Sequence, residues 1–206
     1  TPNGYQKNYS DTIDAFIAKF DADGKISWGT YYGGKKNDYG ISLSLELGEY
    51  LYVVGQTASQ EKISSKDSYQ NKHGGGIWDV FVTKFSVGGT HIWGTYYGGS
   101  ENDFGKAICA DKHGSVFIAG ETKSLNAIAT YGTHQTNLNG NNSEYPDAFV
   151  AKFSGTPTNY YFINANICEG ETYQFDSLIL TKTGEYSQTY TTSEGTDSVV
   201  ILTLNV

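Results

Sequence analysis

Methionine is absent from this chain of 206 residues, proline occurs three times and cysteine twice. With no initiator residue and no signal peptide at the front, Thr1 reads as a cut point within a longer polypeptide. The two cysteines, Cys109 and Cys168, permit one disulfide at most and define no redox compartment. No run of 18 apolar residues exists, which leaves no segment able to cross a bilayer as a helix. Charge is sparse as well, at 17% of residues, and the balance is acidic, with a net charge of −8. The 14 basic residues are scattered, Lys35-Lys36 being the one adjacent pair, so the clustered cations that a nucleic-acid partner demands are missing. Helical periodicity is lacking too. What the chain has instead is 17 tyrosines and 25 glycines, residues that suit pleated half-buried surfaces and the turns between them. The expected class is all-β.

Two stretches are nearly the same sentence. DAFIAKFDADGKISWGTYYGGKKNDYG at 14–40 returns as DVFVTKFSVGGTHIWGTYYGGSENDFG at 79–105, a constant offset of 65 residues. A third copy opens with DAFVAKF at Asp147–Phe153 and breaks off. Such long-period similarity marks units that cannot bury their apolar faces alone and must stack on neighbours. Within one period four short strands are expected: GISLSLEL at 40–47, YLYVVGQT at 50–57, DVFVTKF at 79–85 and HIWGTYY at 91–97. Units of this kind suit the blades of a β-propeller; a β-solenoid, whose rungs are usually shorter than about 30 residues, is the rival.

The order TYYGG-x-x-NDxG, then Asp111–Thr122, then Tyr-Gln, a Gly-rich linker and DAFVAKF resembles the bacterial SBBP-type β-propeller repeat over about residues 1–153. The resemblance implies that GISLSLEL and KAICAD are innermost strands and WGTYYGG an outermost one. On that register the chain opens in the outer half of one blade and continues through a whole blade and most of another. Residues 1–155 are therefore expected to be the C-terminal blades of a partial β-propeller, with period about 65, whose partners are the other blades of the same longer chain. Residues 156–162 read as a linker or as the last blade strand. The sentence ICEGETYQF…LTKTGEYSQTYTTSEGTDSVVILTLNV resembles Ig-like repeats of large secreted Bacteroidota proteins and implies a small Ig-like β-sandwich over 163–206. It also implies an extracellular or cell-surface location, reached by type IX secretion. Thr196 stands where that family often has a second cysteine, so its usual intradomain bridge is not carried over. Cys109 replaces Ser44 of the previous copy and is expected to be a buried, inert thiol; a bridge to Cys168 has no sequence support.

Recurrence separates scaffold from site. Asp14, Asp79 and Asp147 precede the same strand in each copy, and Asn37-Asp38 matches Asn102-Asp103, so these residues read as turn closures rather than as catalytic acids. Trp28 and Trp93 read as blade-to-blade packing, with sugar stacking as the functional alternative. Asp21 and Asp23 in DADG form the best Ca²⁺ candidate, against a hairpin turn as the simpler reading, since the next copy has SVGG there. His73, His91, His113 and His134 lack zinc spacing, and no nucleophile elbow or phosphate loop is present. No catalytic residue and no cofactor are assigned. Thr12, Ser177 and Ser198 sit in Asp-Ser/Thr-apolar triplets that resemble the Bacteroidota O-glycosylation sequon. Two long loops, Ala58–Gly76 and Lys123–Tyr145, fall on one rim of a propeller and diverge more than the strands, which is where specificity can be housed. The expected function is a non-catalytic binding or structural scaffold in a large secreted or cell-surface adhesin-like protein, with a surface glycan or protein as ligand. The alternative is an accessory or catalytic propeller of a secreted polysaccharide-degrading enzyme.

Overall fold

A computed structural model describes residues 4–10, 12–112, 114–138, 145–153, 159–191 and 197–206. These residues form strands and turns with no helix. Two compact units divide at Phe153 and Ser154.

The first unit holds nine strands: β1 (Ala15–Phe20), β2 (Ile26–Tyr32), β3 (Asp38–Glu46), β4 (Tyr50–Thr57), β5 (Asp79–Ser86), β6 (His91–Tyr97), β7 (Asp103–Ala110), β8 (Val116–Thr122) and β9 (Asp147–Phe153). They pair only with sequence neighbours, as a hairpin β1-β2, a four-stranded sheet β3-β4-β5-β6 and a three-stranded sheet β7-β8-β9, all antiparallel. The strand order is the one read from the repeat: a two-stranded hairpin, a four-stranded sheet that corresponds to one complete repeat unit, or blade, and three strands of a third.

Alternation along each strand assigns its two faces. Leu51 and Val53 of β4 join Ala15, Ile17, Trp28 and Tyr32 of the first hairpin in one apolar cluster. Tyr52 and Val54, pointing the other way, join Ile108, Val116, Ile118 and Phe149 of the third sheet in a second. The complete blade is therefore apolar on both faces, which is why YLYVVGQT reads as a nearly continuous hydrophobic run. Trp28 ties two blades directly: its indole N–H donates to the Val87 carbonyl at 2.9 Å, and its ring lies where a side chain at Gly89 would stand.

Cys109 departs from expectation. It is exposed, because it lies opposite Phe117 on the face of β7-β8-β9 turned away from the complete blade. Val150 shares that face and is 77% exposed, whereas Val82, its counterpart in the complete blade, is fully buried. Cys109 and Cys168 are both free thiols.

The second unit comprises β10 (Asn159–Asn166), β11 (Tyr173–Phe175), β12 (Leu178–Leu180), β13 (Gly184–Thr191) and β14 (Asp197–Asn205). β14 is central in a three-stranded sheet, antiparallel to β13 and parallel to β10, while β11 and β12 form a separate hairpin. Phe175, Leu180, Leu202 and Leu204 make its core. Residues 156–162 were expected to be a linker or a last blade strand. The observed strand begins at Asn159 and pairs with β14 through eight registered residue pairs, so it belongs to the second unit's sheet. Residues 154–158 and Thr196 lie outside the described residues.

Candidate functional site

At each passage from the last strand of one repeat unit to the first of the next, two glycines turn the chain over a pair of carboxylates. After β6 these are Gly98 and Gly99. A side chain at Gly98 would meet Asp79 Oδ1 at 2.7 Å and Asp103 Oδ2 at 2.8 Å, so only glycine lets the two acids share that corner. Gly33 stands in the same relation to Asp14 and Asp38 one repeat earlier.

Asp103 is fully buried and fully engaged. It accepts from the Gly99 N–H at 2.8 Å, from Ser124 Oγ at 2.9 Å and from Thr122 Oγ1. Asp38 repeats the set with Gly34, Ser59 and Thr57. Burial raises the pKa of both acids, opposed by these donors. Asn102 Oδ1 accepts from the N–H groups of Ile77 and Trp78, at 2.7 and 3.1 Å, and closes the entry to β5.

The other acid differs between copies. Asp14 takes two bonds from Ser10, N–H at 2.9 Å and Oγ at 2.6 Å, and one from Gln6 Nε2 at 2.6 Å. Asp79, in the next copy, is fully buried; its Oδ2 accepts from the Gly74 N–H at 2.5 Å, while its Oδ1 accepts no hydrogen bond. The nearly buried ring of His73 lies 3.7 Å from Asp79 Oδ2, too far for a hydrogen bond, and burial lowers its pKa. Burial first, then the charge of Asp103, push the Asp79 carboxyl up to about 7 against the Gly74 and Gly75 N–H groups.

Above this corner lies an open groove of about 280 Å³, lined by Tyr69, Gln70 and Gly74 from one long loop, Asn126 and Ala127 from the other, and Gly98 and Gly99 between them. The two loops singled out in the sequence thus reach one groove. Their first halves are fixed: Tyr32 Oη donates to the Ile63 carbonyl and Tyr97 Oη to that of Ile128, at 2.5 and 2.7 Å. Ile63 is buried in the core. Beyond Ile128, residues 129–137 of the second loop are exposed and diverge from the first copy.

The remaining sequence candidates disperse. Asp21 Oδ1 accepts from the N–H groups of Asp23 and Lys25, at 3.0 and 2.8 Å, which makes DADG a hairpin turn around Gly24 at φ +76°. No group of three metal-ligating side chains occurs among the described residues. Thr12 and Ser177 are exposed, the latter between β11 and β12; Ser198 lies in β14, its side chain beyond the description, as is all of His113. Trp93 is partly buried against the second apolar cluster, on the blade-packing side. The sequence does not mark His73 and its neighbour Asp79 as a cluster. The signal available was the one-copy histidine six residues before a recurring aspartate.

A family model described as a beta-propeller repeat, SBBP, matches residues 92–126, from β6 into the loop after β8. The regulatory protein FlaEY of Caulobacter vibrioides is 24% identical over 144 residues, 70% of this chain. The aligned part spans 15% of that protein's length.

Proposed function

We propose that the chain is a non-catalytic scaffold: blades of a larger propeller followed by an Ig-like spacer, in a secreted, adhesin-like cell-surface protein. The observation that carries this reading is the state of Asp38 and Asp103. Asp38 and Asp103 are buried and committed to three donors each, so neither is free to move a proton at a substrate. The partners are further blades of the same longer chain, and the ligand, a glycan or protein, is met at the groove between Tyr69 and Asn126, where an exposed aromatic ring borders backbone and amide groups. Exposed Thr12 and Ser177 are accessible to O-glycosylation.

A glycan array together with a hydrolase panel, run on the full-length protein, tests the reading. Binding without turnover, lost on Tyr69→Ala, is expected. Turnover of a polysaccharide that depends on these blades would reverse it and favour the second reading, a propeller within a polysaccharide-degrading enzyme.

A further inference from the structure

Three phenylalanines occupy the same place in successive copies, yet their exposures disagree. Phe81 is fully buried and Phe149 is 6% exposed, but Phe16 is 75% exposed. The cause is local. Phe81 is registered with Gly55 on the neighbouring strand, and a side chain at Gly55 would meet its ring carbons at 2.6 Å. Phe149 is registered with Gly120 in the same way, at 2.7 Å. In both blades the ring lies over a bare glycine backbone, which gives the aromatic a flat seat. β1 has β2 on one side and no strand on the other among the described residues, so Phe16 has no such seat.

We propose that the free edge of β1 is completed by an antiparallel strand carrying a glycine opposite Phe16, supplied by polypeptide that leads into Gln6. The proposal rests on the reading of this chain as blades of a larger propeller and specifies the partner's register.

Two further observations fit the same occupant. Leu43 of β3 is 60% exposed, while Ile108, its counterpart in β7, is 8% exposed because β3 and β4 lie against β7. A strand pair added beside β1 lies against β3 in the same way and covers Leu43 and Leu45. The source of the strand follows from the glutamines. Gln6 bonds to Thr30, Gly33 and Asp14 as Gln70 bonds to Thr95, Gly98 and Asp79. Gln70 and Gln135 each stand thirteen positions after the threonine that ends the glycine-bearing strand, Thr57 or Thr122. Gln6 is therefore the end of the same kind of loop, and the missing strand lies in cis.

The test grafts residues 103–135 of this chain ahead of residue 7, so that Gln135 takes the place of Gln6. Amide hydrogen exchange is followed at residues 16–20. The graft is expected to slow exchange there by about tenfold or more. The same graft with Gly120→Val in the added copy is expected to give none of that protection, because the new side chain occupies the seat of Phe16. Equal protection by both grafts overturns the glycine register while leaving blade completion intact. Absence of protection with either graft, in a protein whose complete blade keeps its own slow amides, overturns both.

Discussion

Asp79 makes the acid limb of stability unusual. Its carboxyl is pushed up to about 7, whereas an unfolded aspartate releases its proton near 3.9. Between those limits the folded chain holds a proton that the unfolded chain has lost, so this residue's contribution declines as pH rises from about 4 to about 7 and is level above. Asp79→Asn is expected to remove that slope and to be relatively stabilising at about pH 8; a difference from wild type that is the same at every pH in thermal melts would reject the assignment. His91 acts in the opposite sense. Burial against Thr83 and Tyr5 lowers its pKa to about 4, so its neutral ring supports the fold above about 6.5, and that support is lost as pH falls through about 4. His91→Gln is expected to flatten that part of the profile. Of these residues, only the repeated acids were legible in the sequence, because recurrence identifies a scaffold role. The closeness of His73 to Asp79 depends on how a unique loop folds back, which no spacing rule encodes.

At the scale of strands and loops, the load falls on contacts between blades. Trp28→Ala removes a buried indole and its bond to Val87, and a loss of about 3–5 kcal/mol is expected in denaturant unfolding. A change under about 1 kcal/mol would mean that the first hairpin is not part of the cooperative unit. The long loops divide into two parts. Replacing all of 58–76 with a Gly-Ser linker takes Ile63 out of the core and strands Tyr32 Oη, so a large drop in melting temperature is expected. Replacing only 129–134 touches exposed residues and is expected to change stability by about 0.5 kcal/mol or less. If that small swap also abolishes ligand binding at the groove, recognition resides in the divergent tip. Sequence divergence alone marked both loops as variable; it could not reveal that a tyrosine on the last strand of the preceding sheet holds the start of each.

For the whole molecule, the repeat read from sequence supplied the order of strands in the first unit, because every named strand there pairs with a sequence neighbour. The second unit was less legible. Its parallel pair joins Asn159–Asn166 to Asp197–Asn205 across most of the unit, and alternation in a short strand does not name a distant partner. Phe16 and Phe20 on the first sheet, Leu43 on the second and Val150 on the last leave large apolar groups exposed in the first unit, whose edge strands β1 and β9 have no partner on their outer side among the described residues. The isolated 206-residue chain is therefore expected to self-associate, and light scattering after size exclusion reads this directly; a monodisperse monomer with one cooperative melt would contradict it.

The division of β4 between two neighbours, Leu51 and Val53 to one side, Tyr52 and Val54 to the other, restricts how such a gene can change length. Gaining or losing one residue inside Tyr50–Thr57 exchanges the two sets, so both blade interfaces receive the side chains meant for the opposite one. Duplication of a complete module leaves every residue facing its proper side and every glycine beneath its phenylalanine. Size variation among such chains is consequently quantised: single-codon insertions are tolerated at the loop tips, and between them the permitted step is a whole blade.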